Sequence, residues 1–360
     1  MTIKFYNLQE QYQDQKYEIH KAMHDVGLGG QYFADQTVTQ FENLISCLYN
    51  NASVVATNSG TSAIIVALKA ANLPANSLVA IPSLTYIATA NAVIAAGYQP
   101  ALVDIDNYWL MNYDHLKKFL EQNSSISAVL LVDLYGQGVS LKKYKSLCDS
   151  YGVKLIIDAA QSFDLFYDYY HQIDYCDSLA LSFNPLKNLG AMGNAGAVVS
   201  KNYTVDQLRR WCVHNKHNGD VESAGFNCRI DALQAAVLNV KYKMFDDNML
   251  RKSQISWYYR QQLEHLVPMP ERNYECTHMN YVFVVAPKKP DALRSALEYK
   301  NIEFGCHYEK SLNYYTAYKS FYNFCPKASA LIGRCISLPN HWHLSDAEVD
   351  VVVKTVKTYL

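Results

Sequence analysis

Ser182-Phe-Asn-Pro-Leu-Lys187-Asn-Leu-Gly190 decides how this chain is read. It follows the apolar run Leu179-Ala-Leu181 and precedes a glycine-punctuated stretch, Gly190-Ala-Met-Gly193-Asn-Ala-Gly196. A lysine at the end of a buried strand can lose its solvation, shed its proton and become a nucleophile. The glycines beside it let backbone come close to a phosphate. An isolated loop lysine is normally just solvated, so the weight rests on what else the chain supplies.

Asp158 closes the apolar segment Val153-Lys-Leu-Ile-Ile157. In open α/β sheets, ligands bind outside the carboxyl ends of the strands, so Asp158 and Lys187 are expected to face one crevice. An aspartate there can pair with a protonated pyridine nitrogen; it can equally cap the next helix. Thr57-Asn-Ser59-Gly60-Thr61-Ser62 lies between a strand-like segment and the helical run Ala63–Leu68. Such a turn offers free N–H groups and the positive helix end to an anion, although a plain capped turn looks the same. Ile81-Pro82-Ser-Leu-Thr-Tyr86 is another strand end, closed by an aromatic able to stack on a flat ring or simply to fill core.

Around these segments, short apolar runs alternate with helical patterns. Strands are read near 53–57, 78–82, 100–104, 128–132, 153–157, 178–183 and 195–200. The rhythm predicts an α/β fold, a mostly parallel seven-stranded sheet between helices. The last strand follows too short a connection for a parallel crossover and is expected to run antiparallel. A polar helix with an apolar stripe is read from Leu8 to about Val26, ended by Gly27-Leu-Gly-Gly30. Val38, Phe41, Leu44, Ile45 and Leu48 recur at helical spacing. A long helical stretch from about 229 to 263 leads to a smaller α+β unit, with strands near 281–285 and 303–308 and a final helix from about 345. The division read is 1–245 for the large domain and 246–360 for the small one.

The bulk properties exclude several classes. Lys plus Arg total 32 against 33 for Asp plus Glu, so nucleic-acid binding has no electrostatic footprint. Nine cysteines without a C-x-x-C pair fit a reduced, cytoplasmic protein. No apolar run is long enough for a bilayer. His20 and His24 are one helical turn apart but lack a third ligand, so no metal is expected. The pairs His214/His217 and His341/His343 are read the same way, with His341 near enough to the crevice to watch. No G-x-G-x-x-G stands between a strand and a helix, which disfavours a nicotinamide enzyme.

Taken together, the blocks resemble the DegT/DnrJ/EryC1/StrS aminotransferases, sugar-nucleotide enzymes of fold type I that use pyridoxal 5′-phosphate. The blocks run in order from Phe41-Glu42 through Ser59-Gly60-Thr61, Pro82–Tyr86, Ala88–Asn91 and Leu134-Tyr-Gly136-Gln137. They continue with Asp158-Ala-Ala-Gln161, Ser182–Asn188, Gly225-Phe-Asn227-Cys-Arg229 and Ser337-Leu-Pro339. The resemblance implies that Lys187 carries the cofactor as a Schiff base and Asp158 pairs with its ring nitrogen. It implies Gln161 on the ring hydroxyl, Tyr86 stacked on the ring, and Gly60, Thr61 and Ser182 on the phosphate. Asn227 is implied to reach the phosphate of the neighbouring subunit in a homodimer with shared sites. His307-Tyr308 matches a substrate-side pair. The implied reaction moves an amino group from L-glutamate to a nucleotide-linked ketosugar, and Lys187 favours this over dehydration, which relatives with histidine there perform. A cyclitol ketone as acceptor, and a binding or regulatory module without catalysis, are the other readings of the scaffold. Three positions depart from the family: Ile157 for a frequent Glu, Gly193-Asn-Ala-Gly196 for Gly-Asp-Gly-Gly, and Asp133 for a frequent His. The last is expected near the substrate.

Overall fold

A computed structural model describes residues 2–33, 36–167, 170–217, 219–221, 223–321 and 324–360. The central sheet is built from β1 (Ser53–Thr57), β2 (Leu78–Pro82), β3 (Gln99–Val103), β4 (Ile126–Val132), β5 (Lys154–Asp158), β6 (Ser178–Ser182) and β7 (Gly196–Ser200). Its strand order is β1-β7-β6-β5-β4-β2-β3, and β7 runs antiparallel to both neighbours while the other pairings are parallel. These strands are nearly continuous Val, Ile, Leu and Ala because both faces are covered.

The α-helices of seven or more residues are α1 (Leu8–Asp14), α2 (Lys16–Gly29), α3 (Gln36–Leu48), α4 (Gly60–Ala70), α5 (Ile87–Ala95), α6 (Tyr113–Gln122), α7 (Leu141–Tyr151), α8 (Val205–Cys212), α9 (Ala232–Lys241), α10 (Phe245–Leu263), α11 (Pro290–Tyr299) and α12 (Asp346–Thr358). Two continuous helices expected from the sequence are broken. Gln15, at φ −133°, interrupts the N-terminal one and separates α1 from α2. A 3₁₀ turn, Tyr242–Met244, separates α9 from α10. Gly30 ends α2 in the left-handed conformation, as the glycine cluster suggested.

A second apolar cluster joins Ile255, Tyr259 and Leu263 of α10 to Leu293 and Leu297 of α11 and Val352 and Val356 of α12. It surrounds a two-stranded antiparallel ladder, β8 (Phe283–Val285) with β9 (Ile336–Leu338). The strand expected near 303–308 does not form. That segment makes only isolated bridges, Ile302 with Ile3 and Gly305 with Ser337. We propose the small unit as residues 246–360 with the segment around Ile3 laid across it. No helix among the described residues is long and apolar enough to cross a membrane.

Candidate active site

β1, β2, β5 and β6 end at one edge of the sheet, and their carboxyl ends open into a cavity of about 550 Å³. Gly60, Thr61, Tyr86, Asp158, Gln161, Ser182, Lys187, His307 and Tyr308 all line it. Asn227 does not. It is exposed, in an isolated bridge with Val213.

The phosphate-sized corner is a tight one. Ser59 caps α4, its hydroxyl accepting the Ser62 N–H at 3.1 Å. A Cβ on Gly60 would lie 2.7 Å from Ser182 Cβ, and one on Gly196 would lie 2.5 Å from the Ser59 carbonyl carbon. Only glycine lets the α4 turn sit this close to the ends of β6 and β7. The first-turn amides have no intrahelical acceptor and carry the positive end of the helix dipole.

Asp158 is buried at the end of β5. Its Oδ2 accepts from Thr89 Oγ1 at 2.9 Å, and its Oδ1 from the Ala160 N–H at 3.2 Å. Burial pushes its pKa up, while Thr89, Ala160 and Lys187 oppose the rise. Among the described residues it makes no ion pair. A buried carboxylate in that position is one a cation in the cavity would stabilise.

Lys187 Nζ lies 4.3 Å above the ring of Tyr281. Its neighbour Asn188 is clamped on both sides. Asn188 Nδ2 donates to the Met279 carbonyl at 2.6 Å, and Asn188 Oδ1 accepts from Lys252 Nζ at 2.7 Å. Lys252 is fully enclosed, also donates to the Tyr281 carbonyl at 3.1 Å, and has its pKa lowered to about 7 by burial.

A strap formed by Leu134–Gln137 holds the far wall. Tyr135 has a positive φ of 62°, an uncommon conformation for a residue with a side chain. Its N–H donates to Gln161 Oε1 at 2.7 Å and its hydroxyl to the His307 carbonyl at 2.6 Å. Gln161 Nε2 in turn donates to the Tyr308 hydroxyl at 2.9 Å. Burial raises the Tyr308 phenol well above its usual value, so it stays protonated, with its own hydrogen available to the cavity. His307 Nδ1 is 2.8 Å from Ser337 Oγ, and burial, with Lys187 second, lowers its pKa to about 4. Tyr86, 54% exposed, stands 5.8 Å from the ring of Tyr308.

Sequence reasoning missed Tyr281, Thr89, Tyr135 and Lys252. Tyr281 sat inside a segment read only as a strand; Thr89 and Tyr135 stand in two of the blocks that carry the resemblance, without a role assigned, and Lys252 had no local signal. One expectation is corrected: Asp133 is not beside the cavity. It is buried beneath it, its Oδ2 accepting from Ser162 Oγ at 2.6 Å and from Gln172 Nε2. His341 is likewise buried away from the cavity, with Nε2 3.1 Å from the Lys4 carbonyl oxygen. His20 is bonded to Tyr12. Of His217 only the backbone is described. No group of three His, Cys, Asp or Glu among the described residues is arranged to hold a metal.

The model of the DegT/DnrJ/EryC1/StrS aminotransferase family matches residues 13–357. The chain belongs to the DegT/DnrJ/EryC1/StrS aminotransferase family. It is 29% identical to dTDP-3-amino-3,6-dideoxy-alpha-D-galactopyranose transaminase of Aneurinibacillus thermoaerophilus, over 95% of each chain. It is 28% identical to dTDP-3-amino-3,4,6-trideoxy-alpha-D-glucose transaminase of Streptomyces venezuelae, over 99% of this chain and 96% of that one. The crystal structure of S. venezuelae DesV with a ketimine intermediate superposes with a TM-score of 0.92 at 26% identity, covering 99% of this chain and 98% of DesV. This family member is an aminotransferase, and its fold is that of the fold-type-I enzymes. Its cofactor is pyridoxal 5′-phosphate. The cavity fits that group: a helix N-terminus packed against glycine for the phosphate, an unpaired buried carboxylate for the ring nitrogen, and one amine at the centre.

Proposed function

We propose that this aminotransferase moves an amino group from L-glutamate to the C3 ketone of a deoxysugar carried on a nucleoside diphosphate. The observation that carries the reading is the convergence of Lys187, Asp158 and the α4 N-terminus on one cavity. The choice of C3 is supported by both curated relatives, each named for a 3-amino sugar on dTDP. Pyridoxal 5′-phosphate, when bound, supplies an electron sink that makes an amino acid's α-proton removable.

The chain's own residues do the rest. The Gly60 and Thr61 amides and the Ser182 hydroxyl bind the phosphate. Asp158 holds the ring nitrogen protonated, and Thr89 fixes the carboxylate from behind. Tyr86 covers the ring, and Gln161, held by Tyr135, meets the ring oxygen. Lys187 Nζ takes the proton from one carbon and returns it to another, its advantage coming from placement. His307 and Tyr308 face the sugar, and the neutral phenol of Tyr308 donates to it. Asn227 serves the cavity of a second copy in a homodimer. A nucleotide-linked substrate and nine free thiols support a cytoplasmic location.

Incubation with L-glutamate and a panel of dTDP- and UDP-linked 3- and 4-ketosugars, with products read by mass spectrometry and NMR, tests this. Amination at C3, 2-oxoglutarate release, and loss of both in Lys187→Ala are expected. Amination at C4 alone would overturn the regiochemistry, and dehydration without nitrogen transfer would overturn the reaction.

A further inference from the structure

A second cavity, of about 390 Å³, lies on the opposite side of the Leu134–Gln137 strap, between α10 and the segment 270–284. Its walls carry Arg260, Arg272, His278, Trp257 and Tyr274. None of these belongs to the cavity around Lys187.

The charge here is lopsided. Arg260 gives one N–H to the Pro270 carbonyl at 3.0 Å and sits 4.0 Å from Glu264. Arg272 makes no hydrogen bond or ion pair with any described residue, although it is more than half enclosed. Burial lowers its pKa, and the charge of Arg260 lowers it further. The charged groups acting on His278 are all cations: Arg272, Arg260 and Lys252. With burial, they keep its imidazole neutral. Its Nδ1 accepts the Asn280 N–H at 2.9 Å, so the proton is on Nε2, which is a donor with no protein acceptor among the described residues. Two guanidinium groups and one imidazole N–H therefore share a hollow whose lining, among the described residues, includes no carboxylate, with Glu264 at its margin. These donors face the cavity, and the planar guanidinium fork matches phosphate oxygens in pairs.

The rim is aromatic. Trp257 is 57% exposed and Tyr274 79% exposed, so both rings are open to a flat partner. The volume lies within the range of small-molecule sites.

We propose that this cavity is a second ligand site, distinct from the catalytic one, which takes a nucleoside diphosphate: the phosphates on Arg260 and Arg272, the base against Trp257. Its floor is the reverse side of the strap and of Asn280–Tyr281, the same backbone that holds Gln161 and carries the ring under Lys187.

The test is a titration of the holoenzyme with dTDP, UDP and inorganic phosphate, reading tryptophan emission and subtracting the Trp257→Phe variant to isolate Trp257. Saturable quenching by a nucleoside diphosphate is expected, weakened at least tenfold in Arg272→Ala and retained in Lys187→Ala. Turnover and the melting temperature of Arg272→Ala should stay near those of the parent, and Arg272→Lys should recover part of the binding. Quenching that Arg272→Ala leaves unchanged, or its absence with every ligand, would overturn the site. Inorganic phosphate binding as tightly as the nucleoside diphosphates would overturn the role given to the base.

Discussion

Lys252 and Asp133 are the two buried ionisable groups with most to say at the scale of single residues. Lys252 fixes Asn188 and the Tyr281 carbonyl, and so both neighbours of the Lys187 amine. Lys252→Met keeps the volume but removes both donors. We expect kcat to fall on the order of tenfold to a hundredfold, the cost of a slightly misplaced catalytic group, while steady-state kinetics give a nearly unchanged KM for the donor. An unchanged kcat would mean that Asn188 holds Lys187 without help. Asp133 is a different case. Burial raises its pKa to about 7 from 3.8, against the hydrogen bonds from Ser162 and Gln172. Because the folded value is above the unfolded one, the stability from the protonated form is complete below 3.8 and is lost as pH rises through about 7. Asp133→Asn imitates the protonated acid, so its stability relative to the parent should climb by a few kcal/mol between pH 4 and pH 7. Urea midpoints at a series of pH values check this, and a flat difference would contradict it.

At the scale of elements, the α4 turn is the most exacting. A Cβ at Gly60 has backbone-anchored Ser182 atoms at 2.7 to 3.3 Å, so nothing flexible can move aside. Gly60→Ala should cost about 1–3 kcal/mol in stability and weaken cofactor retention at least tenfold, seen by dialysis and absorbance. Retention equal to the parent would mean the turn is not the phosphate site. The elements also explain what could be read from the chain alone. Strands buried on both faces leave continuous apolar runs, so β1 to β7 were legible to within two residues. Asp158 and Ser182 end β5 and β6 and Lys187 follows β6 by five residues, so the expectation that Asp158 and Lys187 face one crevice came from strand ends. The strap was not. Tyr135 is defined by a positive φ and by partners in Gln161 and His307 (both remote in sequence), and no local pattern encodes that. The segment 303–308 has strand composition but pairs only at single points, Glu303 with Ile3 and Gly305 with Ser337, since composition cannot say whether a partner edge is free. Asp133 was expected near the substrate from the resemblance alone; it follows the end of β4, and its carboxylate is taken up by Ser162 and Gln172.

At the scale of the whole molecule, the exposed position of Asn227 carries a prediction. If it serves a second copy, mixing Lys187→Ala with Asn227→Ala chains builds one intact site per mixed dimer. Activity should then rise above that of either variant alone, and no recovery after subunit exchange would sink the shared-site arrangement. Protonation acts at this scale as well. His341, 4% exposed, has its pKa lowered to about 4 by burial first. Its folded value lies below the unfolded 6.5, so the neutral form stabilises the fold above that pH, and the contribution is lost as pH falls toward 4. Asp133 pulls the other way over much of the same range, so the measured optimum reflects their balance.

The central claim is that Lys187 holds pyridoxal 5′-phosphate in an amino-transferring site, and the visible absorption spectrum tests it most directly. The purified protein, supplied with the cofactor, should gain a visible band that Lys187→Ala lacks, and L-glutamate should bleach it with stoichiometric release of 2-oxoglutarate. A protein that stays colourless with the cofactor present, or a band that Lys187→Ala retains unchanged, would contradict the account.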